Sequence, residues 1–332
     1  MKKTLFVLLL CCMALLLFFS RTALQAAKEA LSIWAGQVVP ALLPFFICTD
    51  MLRRLGMRQR GALPFFFMSM LSGAPSGARL CSAYDHGDGA YTALVAACNV
   101  IGPMFVSGAY CVGMLQTPKL AIPLLLSQYA SALLMLYRCR RSLPALSTEA
   151  APMQAASAAL SASIYDGVLS MLSIGGVILS YRVLLSLIGA LWAACKLQPP
   201  PPLLAAMLTG MLEVVNGCAQ LSAIPLSARQ MAALSAFLFS FGGVCVMTQS
   251  MQFYTLLPWR YLLNKLQQGL FAALFAYCTT PLFLANTQEV IYTLDMYKLK
   301  QNTLSSLSVF LISSFSMLVV WVCCAAVRRP QK

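Results

Sequence analysis

Residues 71–80 read LSGAPSGARL, an apolar segment broken by Gly, Pro and Ser that also carries Arg79. A second interrupted apolar segment, CNVIGPMFVSG, follows at 98–108. A simple membrane span needs about 20 continuous apolar residues. Segments broken in this way suit re-entrant hairpins and discontinuous helices, the parts from which secondary transporters build substrate sites at the bilayer midplane. The pattern recurs in the second half as GMLEVVNG (210–217) and FSFGGVCVMTQ (239–249).

Composition places these segments in a membrane. Of the 332 residues, 60% are hydrophobic and 10% charged, and the mean hydropathy is +0.79. A soluble domain carries about 25% charged residues. No polar stretch is long enough for a soluble domain of ordinary size. The net charge of +14 comes from basic residues in short loops, which is the positive-inside pattern. Nucleic-acid binding would need a basic face with interleaved aromatics, and none is present. Thirteen cysteines lie scattered in apolar segments without metal-ligand spacing, so they read as small packing residues. His86, in the loop YDHGDG (84–89), stands alone, and a metal site needs three or four ligands.

The expected fold is an all-α polytopic membrane protein with about eight transmembrane helices and two re-entrant hairpins. Residues 1–29 hold a first helix and an outer segment; ALQAA (23–27) resembles a cleavage site, so a signal sequence is the alternative to a retained helix. Residues 30–141 form a first repeat: a span at 30–52 kinked by Pro40 and Pro44, a hairpin at 63–83, a broken span at 91–115 and a span at 120–137. A polar cytoplasmic linker covers 142–161. Residues 162–285 form a second repeat: a long span at 164–194, a hairpin at 203–224, a span at 231–253 broken at Gly242–Gly243, and a span at 262–284. A last helix lies within 286–332. With the amino terminus inside and both hairpins non-crossing, basic residues favour the cytoplasmic side by roughly two to one. Lys265 is counted among those cytoplasmic charges. The hairpins then enter from opposite sides, which relates the halves by an in-plane pseudo-two-fold axis.

The site expected from this arrangement combines backbone ends with a few polar side chains. The SGAPSG turn, with Ser72, Gly73, Ser76 and Gly77, offers free amides and hydroxyls to an anion. Arg79 is either a clamp for a carboxylate or phosphate, or a side chain snorkelling to the interface. Glu213 is the acidic residue centred in the second hairpin; intramembrane carboxylates mark ion or proton sites, or pair with a buried cation such as Arg79. Asn99 and Gln249 occupy corresponding broken spans and suit substrate hydrogen bonds, with Asn216 and Thr248 as weaker candidates; interhelical polar bonding is the alternative for all four. Asp166 reads as interfacial, and Arg182 lies deeper in the same span. No catalytic constellation and no phosphate-binding loop appears, so neither an enzyme nor a bound cofactor is expected.

These motifs, together with VPALLPFF (39–46), resemble in order and spacing those of the sporulation integral membrane protein family called YlbJ or SpoVV, within the nucleoside-recognition, or Gate-domain, membrane proteins. The resemblance covers residues 30–285. It implies a fold similar to concentrative nucleoside transporters and an inverted repeat. It also implies transport of a small organic anion, dipicolinic acid, across the outer forespore membrane of a sporulating bacterium. By position it carries the site onto the SGAPSG turn, Arg79, Asn99, Glu213 and Gln249; the family often has Lys where this chain has Arg79, so the positive charge survives. The expected partners are the anionic substrate, the lipid bilayer and a coupling ion, H+ or Na+, and a homo-oligomer is compatible with the reading. Two alternatives stay open: a cation-coupled nucleoside transporter, and a non-transporting scaffold for spore-envelope assembly.

Overall fold

The computed structural model describes residues 2–55, 62–74, 78, 91–139, 155–196 and 198–284. The expectations for Ser76, Gly77, Arg79, His86 and the helix within 286–332 lie outside the described residues. Every regular element among the described residues is helical. Among the described residues four stretches are long and apolar enough to cross a membrane: Ser20–Leu52, Pro118–Cys139, Ala156–Ala194 and Ala228–Ser250. The chain is thus a multi-pass integral membrane protein.

Helix α1 is Lys2–Phe18. Helix α2 (Ser20–Ile33) continues through a π-helical turn at Trp34–Val38 into α3 (Val39–Arg54). The expected outer segment before residue 30 is therefore helical. Its small residues Ala23, Ala26 and Ala30 recur at helical spacing and are buried, which gives the segment a face to pack. The π turn ends just before Pro40. Pro40 has no N–H for the carbonyl one turn back, and its ring crowds that carbonyl, so a local widening there relieves both problems.

The partner of this long helix is α7. Helix α4 (Ala62–Ser72), α5 (Thr92–Cys98), a π-helical segment at Phe105–Met114 and α6 (Ala121–Cys139) lie between them in sequence. Helix α7 spans Ala156–Ala194, 39 residues, or about 58 Å. It takes its first turns from the region expected as linker, because ASAALS (156–161) holds good helix formers. The two long helices run antiparallel. Glu29 meets Arg182 at 2.6 Å, Trp34 Nε1 donates to the Met171 carbonyl at 3.0 Å, and Arg54 reaches Asp166 at 2.5 Å. Arg54 also bonds Asp50 at 2.6 Å, and Ser163 donates to the same Asp50 oxygen at 3.1 Å. Each end of the pair is thus clamped by an acid from the first turns of one helix and a base from the far end of the other. Arg182, whose role the sequence leaves undecided, is a clamp residue.

The clamps differ in exposure, which orders their contributions. The Arg182 and Glu29 side chains are 25% and 44% exposed, whereas Arg54 is 14% exposed and holds two carboxylates. Exposed pairs contribute about 0–1 kcal/mol; a half-buried charge network loses more when its cation is removed. Arg54→Ala should therefore lower stability by about 2 kcal/mol, and Arg182→Ala by under about 1 kcal/mol. Thermal unfolding of the purified variants checks the order.

The remaining elements combine short, interrupted helices with one long one. Helices α8 (Pro202–Leu212) and α9 (Val214–Ser222) are joined by the single extended residue Glu213. Helix α10 (Ala228–Phe241) ends at left-handed Gly242, and α11 (Gly243–Ser250) starts anew. Helix α12 (Pro258–Phe283) begins with Pro at its first position, where the missing N–H has no role. It buries Tyr261, Lys265, Gln268, Ala272 and Ala276 along one stripe. Lys265, counted above among the cytoplasmic charges, lies two turns inside α12 and is fully buried, so it does not belong in that count.

Candidate functional site

The helical hairpin of the second half is dictated by glycine. Gly217 packs so closely on Gly210 that a Cβ on it would fall 2.1 Å from the Gly210 Cα and 3.1 Å from the Ala206 carbonyl. In a continuous helix, residues 206 and 217 would stand about 16 Å apart. The chain therefore reverses at Glu213, and α9 returns along α8. Each arm is roughly half the length of a membrane span.

Glu213 itself caps the returning arm. Its Oε1 accepts from the Val215 amide at 2.9 Å and its Oε2 from the Asn216 amide at 2.7 Å. Both carboxylate oxygens thus face the positive end of α9. The Asn216 side chain donates from Nδ2 to the Ile178 carbonyl of α7 at 3.0 Å. That bond ties the hairpin to the long helix.

The end of α4 and the end of α8 each rest on a broken helix of their own half. After α4, Gly73 adopts φ +72, and a Cβ there would lie 2.9 Å from the Gly102 amide nitrogen. The next amide, Ala74, donates to the Val100 carbonyl at 2.8 Å. Gly73 is thus needed twice, for its left-handed backbone and for its contact with the break after α5. In the second half, Gly243 has φ +80 and lies against the Leu212 and Gly210 carbonyls, 3.1 and 3.3 Å from where its Cβ would be. The break between α10 and α11 therefore sits on the end of α8.

These two assemblies face one cavity of about 70 Å³. Ser72, Gly73 and Ala74 line it from the first half, with Ile101, Gly102 and Phe105 beyond the first break. Glu213, Val214 and Val215 line it from the second, with Cys245, Val246 and Gln249 of α11. Helices α3 and α7 form the walls through Leu42, Phe46, Ile174 and Ile178. The structure thus brings Ser72, Gly73, Glu213 and Gln249 around a shared space. Its walls are mostly apolar, and among the described lining residues the charged group is Glu213.

Asn99 and Asn216 lie off this wall, both fully buried. Asn99 Nδ2 donates to Ser250 Oγ at 2.7 Å and to the Tyr261 hydroxyl at 3.2 Å. It therefore bonds the first break to α11 and α12. Thr248 donates to the Cys245 carbonyl of its own helix at 2.8 Å. These three side chains make interhelical or local bonds.

The sequence reading missed the polar groups that hold the breaks in place. Lys265 and Gln268 of α12 reach the carbonyl end of α5, with Lys265 Nζ 2.7 Å from the Asn99 carbonyl and 3.0 Å from Gln268 Oε1. Gln128 of α6 donates to the Ile101 carbonyl at 2.7 Å, and Ser131 of α6 lies 3.4 Å from Ser240 at the end of α10. The first break is therefore supported by α12 of the other half and by α6 of its own, and the second is met by α6 of the other half. The available signal was the spacing Tyr261, Lys265, Gln268, three polar residues on one helical face.

No family model matches the chain, and no solved structure matches it. The chain is similar to the sporulation integral membrane protein YlbJ of Bacillus subtilis (strain 168), with 26% identity over 313 residues, covering 77% of this chain and 77% of that protein. It is a distant homologue of that protein, and like it an integral membrane protein.

Proposed function

We propose that this chain is a secondary transporter of a small organic anion that works by alternating access around the paired hairpin ends. The observation that carries the reading is the convergence of the glycine-seated ends of α4 and α8 and of two helix breaks on one cavity. Short helices that stop inside a bundle leave amides and carbonyls unpaired within their own segments, and membrane transporters use such ends to hold substrates and ions. The antiparallel long helices, clamped alike at both ends, and the cross-support of each break favour an inverted repeat of the concentrative nucleoside transporter type. In this reading the hairpins are re-entrant, and about eight helices cross the membrane.

The substrate we favour is dipicolinate, and the role is in sporulation, since the relative is named a sporulation protein. Two carboxylates suit helix amino ends together with Arg79. Glu213 on the same cavity must then be neutralised by a proton or a cation when the anion binds, which ties uptake to an ion gradient. Its position also favours a second reading. A carboxylate beside Gln249 in an apolar cavity suits the hydroxyls and ring of a nucleoside, carried together with a cation. A non-transporting scaffold for spore-envelope assembly predicts that hairpin variants retain their role provided the protein assembles.

Uptake of labelled dipicolinate into proteoliposomes separates these readings. Accumulation above empty vesicles, stimulated by an inward proton or sodium gradient and untouched by excess nucleoside, is the expected result. Full competition by nucleosides supports the second reading. Absence of uptake by protein shown to be folded overturns the dipicolinate reading.

A further inference from the structure

Lys265 presents an unusual combination: a fully buried ammonium whose ligands are all neutral oxygens. Its Nζ lies 2.7 Å from the Asn99 carbonyl, 3.3 Å from the Ala96 carbonyl and 3.0 Å from Gln268 Oε1. An ammonium has three donors, and three acceptors meet them. Among the described residues no carboxylate forms an ion pair with Lys265. A buried charge is costly unless something compensates it. Here the compensation comes from the carbonyl end of α5, where the helix carries partial negative charge. Gln268 is steadied in turn, its Nε2 reaching the Ala97 carbonyl at 3.5 Å.

The position matters as much as the ligands. The side-chain stem of Lys265 passes Gly242, with Cε 3.8 Å from where a Cβ of Gly242 would stand. The ammonium therefore sits beside both helix breaks at once. Broken-helix transporters use the carbonyl ends of half-helices and unwound backbone to coordinate a coupling cation. The oxygen set around Lys265 Nζ has that character.

We infer that Lys265 is a tethered cation: its ammonium fills the position at the carbonyl end of the first half-helix that a free alkali cation would otherwise fill. The chain then needs no sodium at this position, and any ion coupled to transport acts elsewhere, with Glu213 the available group. The inference rests on the transporter reading for its meaning. Occupancy of the position is a property of the folded protein, and its test does not require transport.

The test is thermal unfolding of purified protein in NaCl against choline chloride at equal ionic strength. Wild-type protein sets the baseline, which includes any sodium held at Glu213. Lys265→Ala leaves the oxygens without their cation, and NaCl should raise its midpoint over choline chloride by about 3 °C or more beyond the wild-type response. Lys265→Met fills the space with an apolar chain and should respond to the two salts as wild type does. A folded Lys265→Ala whose sodium response is no larger than that of wild type, or an equal added response in Lys265→Met, overturns the assignment. If Lys265→Ala is recovered only as aggregate in choline chloride, recovery of monodisperse protein in NaCl is the expected outcome, and equal aggregation in both salts overturns it. Loss of dipicolinate uptake with these salt responses intact would sink the transport reading and leave the tethered cation standing.

Discussion

If the proposed transport holds, Glu213→Gln is expected to reduce it at least 100-fold, or about 2.7 kcal/mol, while the protein still inserts and folds. Two facts make the effect large. Glu213 lines the cavity, and it is the charged side chain among the described residues that does so. It also reaches that position by a single extended residue between two short helices, with both oxygens held by α9 amides at 2.9 and 2.7 Å. The amide of Gln presents one acceptor and one donor, so one backbone N–H of the cap faces another N–H. That mismatch costs about 1 kcal/mol in stability, as for loss of an ordinary helix cap. Charge and proton binding are lost outright. Glu213→Asp keeps both and should retain part of the activity. Proteoliposome uptake, with unfolding temperature as the control, checks the split. Full activity in Glu213→Gln would remove this residue from the site.

The largest effect on stability is expected at Gly217. A Cβ there would lie 2.1 Å from the Gly210 Cα and 2.4 Å from its nitrogen, both backbone atoms that no side-chain rotation can move. Gly217→Ala should therefore cost more than about 3 kcal/mol and open the α8–α9 hairpin. Gly176→Ala is the matched control, since nothing lies within 4 Å of its added Cβ. In a helix interior that change should be neutral or stabilising by up to about 1 kcal/mol. Unfolding midpoints of the two variants, measured side by side, test the hairpin. Equal stability would mean that α8 and α9 do not pack through these glycines.

Much of the local architecture is legible in the residues. GMLEVVNG and FSFGGVCVMTQ mark their breaks because Glu, Asn and paired glycines interrupt apolar runs too short to span a bilayer. The breaks fall where these residues predict, at Glu213 and at Gly242–Gly243. Pro40, read as a kink, likewise marks the π turn that ends just before it. Boundaries were less legible at residues 20–29 and 156–161. There the polar composition suggests loops, whereas packing of small residues against a neighbouring long helix keeps the chain helical.

The division between composition and packing is sharpest at the polar residues. Hydropathy and the glycine and proline pattern suffice for an all-helical membrane chain with two kinds of interrupted segment, because bilayer thickness and backbone satisfaction constrain any such sequence locally. Which polar groups share a space is a different matter, since it depends on how helices far apart in sequence cross. Asn99 and Gln249 look alike as candidates along the chain, yet Gln249 faces the cavity and Asn99 is bonded to Ser250 and Tyr261. Lys265 reads along the chain as one of the cytoplasmic charges, yet it lies against the carbonyl end of a helix more than 160 residues away in sequence. A charge is placed in a loop or in a core by the oxygens that fold around it, and those oxygens come from elsewhere in the chain.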